Sequence, residues 1–194
     1  MKIDELNTYE SEQRGEALIF ADIPNEAYHA GVGISSSSIR RFGESQLHAI
    51  EHVQETTPAM KFGTAAHALL VEGEEAFNND IAVLAGSPYT NANKELKKEY
   101  EERGLTVIKE AELNHIKGMK ANMIEEGDMY LNPEGKLAEA SFYWYEDEVL
   151  CKCRPDVLCP PLTKPYADNS VVVVDYKTTQ SCDPKAFAGS VRKY

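Results

Sequence analysis

The chain has 194 residues, 42% of them apolar, and carries 32 acidic against 20 basic side chains for a net charge of −12. That length suits one domain around a single sizeable core, and no apolar run approaches the ~20 residues of a membrane span. A balance this acidic argues against a protein that coats nucleic acid by bulk attraction, because such binding neutralises phosphates, but it leaves room for an enzyme with a local basic groove or one whose metals bring the positive charge.

The polar, acidic start "MKIDELNTYESEQRGE" is neither a secretory signal nor a basic transit peptide, so a cytoplasmic location is expected, and residues 1–21 are expected to form a flexible lead-in. A turn-rich entry, "IPNEAYHAGVGI", leads into four serines, any of which could cap a helix through its hydroxyl. That helix would continue through "IRRFGESQLHAIEHV", with Ile39, Phe42, Leu47 and Ile50 on one side and Gly43 weakening it. A second helix begins near Pro58 and carries Gly63, Ala65 and Ala66, small residues that let another backbone come close and predict a central place for it. "DIAVLAG" reads as a strand, "NANKELKKEYEERG" as a solvated helix stopped at Gly104, "LTVI" as a strand and "KEAELNHIKGMKANMIEEG" as an amphipathic helix ending at Gly127.

Three strands are expected next: "LAEASFYWY", "EVLCKCRPDVLC" and, after the proline-rich "PPLTKPYADN", "SVVVVDYKTT". The turn residues "EDE" predict an antiparallel hairpin between the first two, and the four valines predict a strand covered on both faces in the middle of a sheet. A last helix opens with Asp183 as N-cap and Pro184 at its first position. The four cysteines, Cys151, Cys153, Cys159 and Cys182, crowd the final quarter without a C-x-x-C turn, so reduced, partly buried thiols are expected in preference to a zinc or iron–sulfur site.

The chemistry concentrates in "VDYKTT". Alternation puts Asp175 and Lys177 on one face of their strand and Tyr176 on the other. A lone Asp-x-Lys is also what a surface ion pair looks like. Asp156, in "CRPDVL", ends the preceding strand, and a returning hairpin would set it beside Asp175. Two carboxylates held close repel one another unless a cation lies between them, and a hard oxygen-liganded ion such as Mg²⁺ meets that need. Lys177 would then orient or deprotonate the attacking water or meet charge growing on phosphorus.

"RPD" followed by "DYK" resembles the PD-(D/E)xK nuclease superfamily. "FGTAAHALL" is similar to the helix that carries a metal-binding histidine in its RecB-type and lambda-exonuclease-type branches. "YHAGVGISSSSI", the spacing around Phe77, "AEASFYW", "CKCRPD" and "DYKTT" occur in the order of RecE-type exodeoxyribonucleases (exonuclease VIII, prophage-encoded), over residues 22–194. The resemblance implies an α/β domain with a restriction-endonuclease-like core, a central mixed sheet of about four to five strands flanked by helices. It implies that His67, Asp156, Asp175 and the main-chain carbonyl of Tyr176 hold Mg²⁺, with Mn²⁺ able to substitute, and that Lys177 serves the water, so that Asp156, Asp175 and Lys177 are the catalytic residues. Glu139, in "AEAS", matches an acid lining the same site and is either a water-mediated ligand or a solvated strand residue. Ser35, Ser37, Arg40 and Arg41 lie where relatives place a helix start near a DNA 5′ end, though simple capping and surface arginines are the favoured reading of them; Arg154, Thr178 and Thr179 complete the candidate DNA contacts.

The implied activity is 5′→3′ degradation of one strand at double-stranded DNA ends, leaving a 3′ tail for a RecT-like single-strand annealing recombinase, with a homo-oligomeric ring as one possibility. In relatives the helix after Asp-x-Lys contributes a Gln and a Tyr to the site, whereas this chain ends at Tyr194 before such a Gln, so the nuclease-like domain of residues 22–194 is expected to be incomplete at its C-terminus. An inactive remnant, or one half of a split nuclease that binds metal or a partner without turnover, is the alternative.

Overall fold

The computed structural model describes residues 17–21, 23–51, 56–123, 125–159, 172–179, 181 and 183–191. The segment 1–16, the proline-rich connection 160–169 and Cys182 therefore lie outside the described residues. In chain order the elements are β1 (Leu18–Phe20), α1 (Asn25–Ala30), α2 (Ser36–Glu44), α3 (Gln46–Glu51), α4 (Pro58–His67) with a π-helical turn (Ala68–Glu72), α5 (Glu74–Asp80), β2 (Ile81–Leu84), α6 (Asn91–Glu102), β3 (Thr106–Lys109), α7 (Glu110–Ala121), α8 (Glu125–Leu131), β4 (Leu137–Ala138), β5 (Ser141–Glu146), β6 (Val149–Cys153), β7 (Val157–Cys159), β8 (Val172–Val174) and α9 (Pro184–Val191). This is a mixed α/β protein. None of its described helices is long and apolar enough to cross a membrane.

Two compact units divide the chain, and each is assembled from separated segments. The first takes residues 1–55 and 124–175, the second 56–123 and 176–194. In place of the one central sheet expected, the described strands form three: β1-β5-β6 and β4-β7-β8, both antiparallel, and the parallel pair β2-β3.

In the first unit the hairpin β5-β6 turns at Asp147, whose φ of 52° accommodates the tight reversal that "EDE" predicts. β1 lies within the stretch expected to be lead-in, yet it pairs with β5 because Phe20 is buried there against Tyr143, edge to face with ring centroids 5.7 Å apart. Tyr28 from α1 joins them, and Leu18, Ile23 and Leu150 pack around this core. The segment after α1 is stitched to β6 by Ile34, whose N–H donates to Leu150 O and whose carbonyl accepts from Lys152 N–H. Gly33, at φ 101°, makes that approach possible, since a Cβ there would stand 3.3 Å from the Lys152 side chain.

Several elements depart from expectation for local reasons. The long helix after the serines is two helices, because Ser45 is extended (φ −171°) and breaks it after Glu44. Its apolar stripe of Ile39, Phe42, Leu47 and Ile50 is exposed. The helix expected to run to Gly127 stops at Asn122, whose amide caps Gly118 O, and a separate α8 follows. The second long strand is cut at Arg154 and Pro155 into β6 and β7, as a proline that cannot donate to the ladder requires. The valine run is not central: among the described residues β8 borders its sheet, and Val173 is 60% exposed. Four consecutive valines express β propensity, which a half-covered strand satisfies as well as a buried one.

The second unit follows the sequence closely. Strand β2, helix α6 and strand β3 form a parallel crossover. Thr90 Oγ1 accepts from Asn93 N–H at the start of α6, and Gly104, at φ 79°, ends it. Ala65, Ala66, Ala68, Leu69, Leu70, Phe77, Ile81, Ile108 and Ile116 make the core, with Tyr176 packed against it. Gly63 on α4 admits the Thr178 side chain, whose Oγ1 would lie 3.3 Å from an added Cβ. α9 starts as expected, with Asp183 Oδ1 accepting from Lys185 and Ala186 N–H.

Candidate active site

The acids are aligned by strand register. β7 pairs with β8 so that Val157 faces Val174, and β4 pairs with β7 so that Ala138 faces Val157. One residue further along lies a row in which Glu139 stands opposite Asp156, with Asp175 next in sequence after Val174, the last paired residue of β8. The first step of that row is tied by a hydrogen bond from Glu139 N–H to Asp156 O, 3.0 Å. Residues opposite one another in antiparallel strands send their side chains to the same face, and carboxylate oxygens of Glu139 and Asp156 lie within 4.8 Å of each other.

Glu139 has a φ of 52°, in the left-handed region that costs a residue with a Cβ about 1–2 kcal/mol. This kink separates β4 from β5, which the sequence reads as one strand. Glu139 and Asp156 are half-buried; Asp175 is exposed. The expectation that the valine strand is covered on both faces is thus corrected at its end as well. From Val172 to Lys177 half-buried and exposed residues alternate, with Tyr176 inward and Asp175 and Lys177 outward. That is the two-faced arrangement the residue pattern predicts, although the paired strand ends at Val174.

Arg154 lies inside the first unit. Its Nε and Nη2 donate to Ser141 Oγ at 2.9 and 2.6 Å, Nη2 also to Ile23 O at 2.8 Å, and its carbon Cζ stands 4.3 Å over the Tyr28 ring. Nη1 is 3.8 Å from Glu139 Oε2. Lys152, whose Nζ is 4.9 Å from the centre of that ring, donates to Tyr28 O and Gly31 O at 2.7 Å each. Burial, and then the Arg154 charge, holds its ammonium below the usual lysine range. Burial above all, with Cys153 and Tyr143 adding, pushes the Tyr28 phenol up to about 12.

In the second unit His67 is the last residue of α4 and meets the π-helical turn. Its Nδ1 is 3.1 Å from Glu72 Oε1. An ionised carboxylate only accepts, so Nδ1–H is the donor, the arrangement of a histidine ligand backed by a carboxylate. Sequence reading missed Glu72. Its spacing of five from His67 matches no α-helical face, and only the π turn brings the two together. Lys177 Nζ is 3.5 Å from Tyr176 O, and Thr179 Oγ1 donates to Ser181 O. Thr178 fills the space above Gly63.

At the candidate DNA-contacting helix, Ser35 Oγ accepts from Ser38 N–H as the cap of α2 and is 2.9 Å from Ser37 Oγ. Arg40 is exposed and Arg41 half-buried on its following turn. Of the cysteines, Cys153 is exposed, Cys151 half-buried, and buried Cys159 donates to Tyr130 O.

Oxygen donors from two half-buried carboxylates suit a hard divalent ion such as Mg²⁺ or Mn²⁺. The chain matches the family described as "PDDEXK-like domain of unknown function (DUF3799)" over residues 35–194 and belongs to it. No curated protein and no solved structure matches it. Membership in a PDDEXK-like family points to a nuclease, and nucleases of this class generally work with divalent metals.

Proposed function

We propose that this PDDEXK-like protein is a metal-dependent 5′→3′ exonuclease of double-stranded DNA. The observation that supports the reading is the pairing of Glu139 with Asp156 at the ends of β4 and β7, beside the end of β8 that leads into Asp175 and Lys177. Asp156 and Asp175 hold the ion together with His67 and Tyr176 O, and Glu139 lines or joins the ligand set. A divalent ion, when bound, supplies Lewis acidity and neutralises charge on the phosphodiester. Lys177 orients the attacking water and either accepts its proton as a neutral amine or, as an ammonium, meets the charge growing on phosphorus while that proton passes to solvent, and the leaving oxygen departs in line. Glu72 fixes the His67 tautomer. The cap of α2, with Ser35, Ser37, Arg40 and Arg41, receives a DNA phosphate, and Thr178 and Thr179 extend the contact along the backbone. The 3′ single strand left behind passes to a RecT-like annealing recombinase, and a ring of copies would keep the enzyme on its substrate.

The test is a linear duplex with labelled 5′ ends in Mg²⁺ or Mn²⁺. Release of nucleotides from the 5′ end is expected, together with its loss in Asp175→Ala and Lys177→Ala proteins that keep wild-type circular dichroism. A duplex left intact by the wild-type chain in both metals sinks the activity.

A further inference from the structure

We infer that Arg154 is a positioning residue for the metal site: held by Ser141, Ile23 and the Tyr28 ring, it presents one guanidinium nitrogen to Glu139 and sets where that carboxylate points. The inference rests on the proposed metal-dependent reading and extends it to a residue whose sequence context suggested a DNA contact.

Arginine carries five N–H donors in a rigid fork. The Nε and Nη2 side is engaged by Ser141 Oγ, which accepts twice, and by Ile23 O. Ser141 is itself fully buried, so this anchor does not swing. The ring of Tyr28 covers one face of the plane. Only 6% of the Arg154 side chain is exposed, which leaves little of it to meet a DNA backbone. Nη1 remains, and it faces Glu139 Oε2 at 3.8 Å. That distance is too long for a direct hydrogen bond and short enough for strong attraction. The guanidinium thereby draws the carboxylate toward itself by charge.

The backbone of Glu139 reinforces the aim. Its φ of 52° and its N–H bond to Asp156 O turn the residue out of the strand line toward Arg154 and Asp156. Tyr28, Ile23 and Ser141 come from α1, the segment before it and β5, so the cradle ties the N-terminal part of the first unit to the orientation of one acid. Removing the outer partner of a metal ligand typically lowers metal affinity about 10–100-fold.

The experiment measures Mn²⁺ affinity by electron paramagnetic resonance of free Mn²⁺ on the full chain. The proteins are wild type, Arg154→Ala, Arg154→Lys, Glu139→Gln and the Arg154→Ala/Glu139→Gln double variant. Arg154→Ala should bind Mn²⁺ about 10-fold or more weakly, while in the Glu139→Gln background the same change should cost less than about threefold, as expected of a residue that acts through Glu139. Arg154→Lys, whose single ammonium cannot serve Ser141, Ile23 and Glu139 together, should also bind weakly. If Arg154→Ala does not fold, Arg154→Lys and Ser141→Ala, which frees the fork while keeping the charge, carry the comparison. Unchanged affinity in the folded variants, or an equal loss with and without Glu139, overturns the inference while leaving the metal reading intact. A wild-type chain that binds no Mn²⁺ overturns both.

Discussion

Asp156→Asn probes the row of acids most directly. Carboxylate oxygens of Glu139 and Asp156 lie within 4.8 Å of each other, so without metal two like charges repel by about 1 kcal/mol at the dielectric of water and about 3.5 kcal/mol at an effective dielectric of 20. Both residues are half-buried, which places the repulsion between those limits, and Arg154 at 3.8 Å from Glu139 offsets part of it. Asparagine keeps the backbone carbonyl that accepts from Glu139 N–H and removes the charge. In EDTA the variant should therefore be more stable than wild type by about 1 kcal/mol. Metal reverses the order. At a free Mg²⁺ concentration 100 times its dissociation constant, wild type gains about 2.7 kcal/mol, and the variant loses most of that gain. Urea unfolding followed by the fluorescence of Trp144, the chain's one tryptophan, reports the relevant unit because Trp144, on β5, belongs to the same unit as these acids. The midpoint of the variant should sit roughly half a molar above wild type in EDTA and below it in Mg²⁺. A variant destabilised by 1 kcal/mol or more in EDTA, or a Mg²⁺ shift equal in both proteins, would refute the reasoning.

The other predictions concern the surrounding frame. Lys152→Met keeps the apolar stem but removes two 2.7 Å bonds to Tyr28 O and Gly31 O; less the relief of a desolvated ammonium, the first unit should lose about 2 kcal/mol, read from the same urea midpoints. The Tyr28 phenol is pushed from 10.0 to about 12 by burial, so its contribution is complete below pH 10 and disappears as pH rises through 12, while the unfolded chain sheds the proton first. The loss should be of the order of 2 kcal/mol, and midpoints at pH 9 and 11.5 should show a smaller fall for Tyr28→Phe. Gly63→Ala sets a Cβ 3.3 Å from Thr178 Oγ1. Helix propensity offsets the crowding, so melting should change by less than about 1 kcal/mol, while turnover should fall severalfold because Thr178 adjoins Lys177; an unchanged rate argues against a role for this stretch.

Much of the second unit was legible along the chain. Gly104 ends α6, Asp183 caps α9, and β2 and β3 appear where short apolar runs predict them, because capping and turn chemistry act over a few residues. Register was legible too. Asp156 and Asp175 could be assigned to adjoining strand ends, since antiparallel pairing needs only two runs and a connection between them. What the chain's order concealed lies at interruptions. Glu139 at positive φ splits one apparent strand, Arg154 and Pro155 split another, and Ser45 splits a helix; periodicity continues across each break.

The amino-acid order by itself singled out the candidate side chains, because Asp-x-Lys, the preceding RPD and the FGTAAHALL helix are local patterns whose spacing sets the direction of each group. Tertiary structure alone decided how those groups are supported. The π turn joins His67 to Glu72, and burial turns Arg154 from a surface cation into a brace for Glu139. Burial and long-range hydrogen bonding depend on residues more than a hundred positions away, as Ile23 O is from Arg154, and no window along the chain contains both partners.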